Sequence, residues 1–357
     1  MPLSATAASL AEVLDEMTAE GAPELTEHLA KNAVKCYACG HRCLINEGKR
    51  GICKVRFNEG GRLRVPVNYV AALACDPTEK KPFFHVLPGS DTLTFGMLGC
   101  DLHCAYCQNW LTSQALRDDD AVSRPNVVTA DRLVAMAKAY GASMVGSSYN
   151  EPLITAEWAV EVFKKAKPEG FRTAFISNGN ATAQVLDYLR PWTDCYKIDL
   201  KSMSDKNYRQ LGGVVDNILE TVQMVHERGF WEEIVTLVIP GFNDSEDELK
   251  RAADFIASVS PDIPWHVTAF HQDYNMQENA NTTAEQLMRA CEIGRDAGLR
   301  YIYAGNLPGR VGRWENTYCP ACDALLVERY GYLIRQMNVT AHGQCPICST
   351  QIPGLWS

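Results

Sequence analysis

The stretch Gly99-Cys-Asp-Leu-His-Cys-Ala-Tyr-Cys-Gln-Asn-Trp110 places three cysteines, Cys100, Cys104 and Cys107, in the spacing C-x3-C-x2-C. An apolar run, Thr92-Leu-Thr-Phe-Gly-Met-Leu98, leads into it and a helix-like run follows. The spacing therefore predicts a cysteine loop at the C-terminal end of a strand. Three thiolates hold three irons of a four-iron cluster and leave the fourth open, whereas electron-transfer clusters use four cysteines. An open coordination position marks a metal that does chemistry rather than architecture. The competing reading is a structural zinc knuckle with a distant fourth ligand. His103 offers a nitrogen, but it adjoins Cys104 and would strain such a site.

Outward from this loop, strand and helix patterns alternate. Strands are expected at 92–97, 143–148, 172–177, 194–199, 231–239 and 264–270, with a short seventh at 300–304. Helical segments are expected near 130–140, 153–167, 182–190, 215–228, 245–259 and 284–297. This alternation predicts an α/β fold, a partial (β/α)6 TIM-like barrel of parallel strands with helices outside and right-handed crossovers. Polar and glycine-rich residues follow the strands: Tyr149-Asn150-Glu151-Pro152, Ser177-Asn178-Gly179-Asn180, Asp199-Leu200-Lys201, Ile239 to Asp244, Phe270-His271 and Ala304-Gly305-Asn306. In α/β barrels this C-terminal rim carries the active site, and the cysteine triplet lies on the same rim.

The flanks divide the chain into 1–34, a helical extension; 35–90, a four-cysteine region; 91–315, the barrel; and 316–357, a second four-cysteine module. In the extension Leu10, Val13, Leu14 and Met17 recur at helical spacing. The second region holds Cys36, Cys39, Cys43 and Cys53 in C-x2-C-x3-C-x9-C, with His41 as a spare ligand; zinc and an iron–sulfur cluster both suit it. Lys80, Lys81 and His85 follow in a Pro-punctuated loop and read as solvated surface charge, with reach to the active site as the alternative. The last module pairs Cys319-Pro-Ala-Cys322 with Cys345-Pro-Ile-Cys348, a strong signal for one tetrahedral four-thiolate site. Zinc or a single rubredoxin-like iron would occupy it, and small modules of this kind often need the metal to fold.

The sequence has 357 residues, a net charge of −9 and no basic block, which argues against nucleic acid as a main partner. It shows neither an export signal nor an apolar run long enough to span a membrane, so a cytoplasmic location is expected. In that compartment, 14 cysteines point to metals rather than disulfides. Cys75, Cys195 and Cys291 stand alone and read as small buried hydrophobes.

With Tyr106 just before its last cysteine, the triplet resembles the cluster motif of the radical S-adenosylmethionine (radical SAM) superfamily. Beyond it, the chain resembles the branch containing pyruvate formate-lyase activating enzymes, and within that branch the radical SAM component of the AmmeMemoRadiSam system. The carriers are Cys36-Tyr-Ala-Cys-Gly-His-Arg-Cys43, Gly48-Lys-Arg-Gly-Ile-Cys53, Glu79-Lys-Lys-Pro82, the triplet, Tyr149-Asn-Glu-Pro152 and the paired knuckles. The resemblance implies a 4Fe-4S cluster on Cys100, Cys104 and Cys107, whose open iron chelates the methionine end of SAM. The reduced cluster cleaves SAM to a 5′-deoxyadenosyl radical that abstracts hydrogen from a substrate. By position it also implies cofactor contacts from Tyr106, Asn150, Glu151, Ser177, Asn178, Asp199, Lys201 and His271, with Val238 to Gly241 beside the adenine. Asp199 and Lys201 would answer the ammonium and carboxylate of the methionine zwitterion. A flavodoxin- or ferredoxin-like one-electron donor and Memo-like and Ammecr-like proteins are the implied partners. Tyr149 and Asn150 replace the family's glycines, Gln272 replaces a proline after the rim histidine, and Asp323 and Ser349 stand where zinc knuckles usually carry glycine. Two other functions compete: a glycyl-radical-enzyme activase, and a non-catalytic metal-binding scaffold.

Overall fold

In the computed structural model, which describes residues 9–357, one eight-stranded sheet organises the molecule. Its order runs Ile302–Gly305, Trp265–Ala269, Trp231–Val238, Cys195–Asp199, Arg172–Ser177, Met144–Ser147, Asp91–Gly96 and Ala72–Pro77. Every neighbouring pair is parallel except the last, where Ala72–Pro77 runs antiparallel to Asp91–Gly96. The two edge strands do not pair with each other, so the barrel is open on one side.

Local chemistry explains these elements. Strands covered on both faces read as near-continuous apolar runs; in Asp91–Gly96 every residue after Asp91 is buried. Six helices cross between strands: Ala130–Ala139, Ala156–Ala166, Ala183–Leu189, Val215–Glu227, Glu246–Val259 and Ala284–Asp296. Thr129, Thr182, Ser245 and Thr283 cap four of them, each hydroxyl accepting the N–H three residues on. Trp158, Val162 and Phe163, fully buried, turn one helix onto the sheet.

The structure corrects two readings. The barrel sheet includes the expected short seventh strand, here Ile302–Gly305, and it gains Ala72–Pro77 from the stretch assigned to the 35–90 region. Among the described residues the 1–34 extension is α-helical only over Leu10–Glu16, with short 3-10 turns at Pro23–Leu25 and Ala30–Asn32; Thr18–Glu20, Thr26–His28 and Val34–Cys36 are strands. Gly21 and Pro23 break the helical spacing there, and Thr26–His28 pairs across residue 34 with the cysteine region. Residues 1–8 lie outside the described part. Among the described residues no helix is long and apolar enough to cross a membrane.

The floor of the barrel is plugged by Phe83, Phe84 and His85. The buried Glu233 carboxylate accepts the backbone N–H groups of Phe84 and His85, at 3.0 and 2.9 Å, and the Trp231 indole N–H. His266 Nε2 lies 2.6 Å away. The last module is a three-stranded sheet, Thr317–Tyr318, Leu325–Tyr330 and Leu333–Met337. Buried Arg329 donates to the Phe84 carbonyl and the Thr317 hydroxyl and covers the Phe84 ring at 4.2 Å. At its other end Tyr332 reaches Asn306, just beyond the last barrel strand. The module thus runs along the open side of the barrel from floor to rim.

Candidate active site

Gly99 turns the chain out of its strand at φ +91, a conformation other residues rarely adopt. A Cβ there would stand 2.9 Å from Val55 and 3.1 Å from the Cys53 carbonyl. Beyond it the loop is held by its own hydrogen bonds: Leu102 N–H to Cys100 Sγ at 3.4 Å, Cys107 N–H to the Cys104 carbonyl at 3.2 Å, and His103 N–H to the Leu211 carbonyl at 2.9 Å. Ser113 Oγ lies 3.2 Å from Cys107 Sγ.

The three thiols face a cavity of about 420 Å³ at the strand ends, within the range of small-molecule sites. Tyr106, Asn150, Glu151, Ser177, Asn178, Asp199 and Lys201 line it as well. Of the residues given a cofactor role by sequence, His271 and the Val238 to Gly241 stretch stay out of the wall, which takes Val235 and Leu237 from that strand instead. His271 is exposed and sits 3.0 Å from the Gln108 amide, because its loop folds outward through the Asp273–Met276 bridge.

The rim is welded by a buried polar network that centres on Asp101, a residue the sequence did not single out. Its two carboxylate oxygens accept the Asn178 and Asn180 amides at 2.7 and 2.8 Å. Its backbone carbonyl lies 3.2 Å from His41. Glu151 accepts three protein hydrogens, from Leu153 N–H, Ser177 Oγ–H and Asn178 N–H. Of its four lone-pair positions one is left for a ligand. Burial, then the charge of Asp101, raises the Glu151 carboxyl well above the usual range. Tyr149, in place of a glycine, sits at φ +70 and is held there by the Thr94 hydroxyl at 3.0 Å from its own.

Asp199 is clamped between two lysines. Lys201 Nζ lies 3.2 Å from one oxygen and Lys197 bonds the other. Burial opposes ionisation, but the two ammonium groups hold Asp199 down to about 2. Lys197 was missed from sequence. The signal was its parity with Asp199, which puts both on the inner face of one strand.

The cysteines tell one site type from another. Cys319, Cys322, Cys345 and Cys348 bring their sulfurs within 4.8 Å of one another, with Cys319–Cys348 at 3.5 Å and Cys322–Cys345 at 3.7 Å. Tetrahedral bonds of about 2.3 Å to one ion give edges of about 3.8 Å, so this is a single-ion site. Asp323 and Ser349 stand at φ +57 and +60, the left-handed turn each knuckle needs. Among the described residues no other three such ligand atoms are that close. The thiols of Cys100, Cys104 and Cys107 are therefore too far apart for one ion and suit a larger inorganic core. Burial pushes the Cys104 thiol up to about 12 and raises Cys100 and Cys107. Free thiols so placed are neutral, and ligation would deprotonate them.

Comparison with known proteins agrees. Residues 95–256 match the model of the radical SAM superfamily. The uncharacterized protein MJ0808 of Methanocaldococcus jannaschii is 33% identical over 329 residues, covering 91% of this chain and 97% of its own length. The chain belongs to the radical SAM superfamily. The pyruvate formate-lyase 1-activating enzyme of Escherichia coli K12 is 28% identical over 205 residues, 54% of this radical SAM enzyme and 80% of that one. Among solved structures, a radical SAM methyltransferase from Sphaerobacter thermophilus is 17% identical, with a TM-score of 0.47 over 67% of this chain and 71% of its own.

Proposed function

We propose that Cys100, Cys104 and Cys107 hold a 4Fe-4S cluster with one open iron, and that SAM is bound beside it in the cavity. Bound there, the reduced cluster supplies the electron that cleaves SAM to a hydrogen-abstracting 5′-deoxyadenosyl radical. The observation that carries this reading is three thiols, buried at Cys104 and half-buried at Cys100 and Cys107, too widely spaced for a single ion, on the wall of a cavity whose other polar groups suit a zwitterion.

The chain's own residues do the rest. Asp199 and Lys201 offer an anion and a cation for the methionine ammonium and carboxylate, and Lys197 keeps Asp199 ionised. Glu151 holds the strand ends together, and an ammonium at its one remaining position would favour its carboxylate form. Asn178 and Ser177 fix Asp101 and Glu151. Tyr106, packed edge-on to Phe242 at 5.8 Å, walls the cavity beside Cys107. A flavodoxin- or ferredoxin-like donor, with Memo-like and Ammecr-like proteins as partners, completes the proposal. Zinc, or a single iron, occupies the last four-cysteine site.

The substrate is a small molecule rather than a glycine loop of a partner enzyme. Tyr332 of the last module and Lys81 stand in the cavity wall, where an activase would need an opening for an incoming peptide. Electron paramagnetic resonance tests the cofactor reading. Dithionite-reduced protein should show a cluster signal whose g-values shift on adding SAM. An unchanged signal with SAM in excess would mean that no iron is open.

A further inference from the structure

The cysteines Cys36, Cys39, Cys43 and Cys53 lie outside the cavity, in a loop stitched to the same rim. Gly40 N–H donates to the Asn180 carbonyl at 2.7 Å, and a Cβ on Gly40 would stand 2.2 Å from the Asn180 side chain. The Thr182 hydroxyl bonds the Tyr37 carbonyl at 2.5 Å, and Arg117 bonds the Ile52 carbonyl at 2.7 Å. Cys36, Cys39 and Cys53 are buried and Cys43 is half-buried.

The four cysteines share one folded-back loop, and their thiols do not close on a single point. Cys36 N–H donates to the Cys43 carbonyl at 2.9 Å, which folds the loop back on itself. Yet no three of these sulfurs lie within 4.8 Å of one another, in contrast to the quartet at 319–348. A lone tetrahedral ion does not fit that spacing; a cluster several atoms across does. A counter-charge is built in. Arg56, 1% exposed, pairs bidentately with Glu157 at 2.7 Å through its two terminal nitrogens, and its buried Nε has no partner. Cys36 and Cys53 are among the charges that act on this guanidinium.

We propose that Cys36, Cys39, Cys43 and Cys53 hold a second iron–sulfur cluster, and not zinc. Four thiolates leave no open iron, so this centre would carry electrons rather than bind SAM. It lies beside the first: Asp101, next in sequence to Cys100, meets His41 of this loop through its carbonyl at 3.2 Å. The proposal goes beyond the catalytic reading above and stands or falls separately from it.

Iron, acid-labile sulfide and zinc per chain, measured on anaerobically reconstituted full-length protein, test it. Wild type should hold about eight irons, and the triple variant Cys100→Ala, Cys104→Ala, Cys107→Ala about four, with about four sulfides and a reducible signal that SAM leaves unchanged. Because that variant removes buried side chains, a second one keeps the test sharp: Cys36→Ser with Cys39→Ser should lower wild-type iron by about half. Iron unaffected by the second variant, or a second zinc per chain that it removes, would overturn the proposal. If the triple variant and wild type both hold about four irons, the second cluster stands and the catalytic assignment fails.

Discussion

Asp199 is the residue on which the cavity's charge balance turns. Lys197 is 5% exposed and donates to this one carboxylate, so Asp199→Asn leaves a buried ammonium without its anion. The expected cost is about 3 kcal/mol of stability, read by urea unfolding, together with at least a tenfold (~1.4 kcal/mol) loss of SAM affinity in reconstituted protein. Wild-type SAM affinity in this variant would show that the pair is structural only. Ser349 offers a change of opposite sign. It holds φ +60 at the turn after Cys348, where glycine meets no steric penalty. Ser349→Gly should stabilise the metal-loaded module by about 1 kcal/mol and slow metal loss to a chelator; Asp323→Gly should gain less, since Asp323 also pairs with Arg313. Individual residues were legible in sequence where a type and a position coincide, as with the cysteines, Asp199 and the two knuckle turns. Asp101 was not, because an acid inside a cysteine motif carries no local sign of what it faces, and Lys197 showed itself only through its parity with Asp199.

At the scale of elements, the floor plug gives the clearest pH dependence. Burial, against the pull of Glu233, lowers His85 to about 4 from an ordinary 6.5, and its ring is held between the Pro353 carbonyl and the Tyr303 hydroxyl, each at 2.6 Å. A depressed histidine is neutral when folded and takes up a proton when unfolded. Its contribution is full above pH 6.5 and is lost as pH falls toward 4. Between pH 7.5 and 5 the wild type should lose about 2 kcal/mol more than His85→Gln in urea unfolding; parallel losses would remove His85 from the acid response. Gly99 makes the corresponding case for the cysteine loops. Gly99→Ala puts a methyl group against Val55 and the Cys53 carbonyl at a positive φ, and should lower iron content by at least half while leaving helix content intact. The strand–helix alternation was readable because both-face burial leaves apolar runs and capping hydroxyls mark the helix starts. Ala72–Pro77 was not, since Ala-Leu-Ala-Cys-Asp-Pro lacks β-branched residues and only an edge position accommodates its proline.

For the whole molecule, the open side of the barrel is the decisive feature. Two edge strands left unpaired would expose the cavity sideways, and the metal-held module stands against that gap. Ile334 lies against Gly89, Tyr330 against Gly309, and Tyr332 reaches Asn306. No local pattern announces the floor end of this packing, because Ile334 with Gly89 and Arg329 with Phe84 join residues more than 200 positions apart. Removing the ion at Cys319, Cys322, Cys345 and Cys348 should loosen this wall. Hydrogen–deuterium exchange should then rise across residues 80–87 and 329–337 and stay unchanged in Glu246–Val259. Equal exchange before and after chelation would show that the module closes nothing. The measurement that bears most directly on the central claim is 5′-deoxyadenosine formation from SAM under dithionite. Reconstituted wild type should form it, and Cys100→Ala, Cys104→Ala and Cys107→Ala should each abolish it. Product at wild-type levels from any of the three, or none from fully loaded wild type, would contradict an open catalytic cluster on this loop.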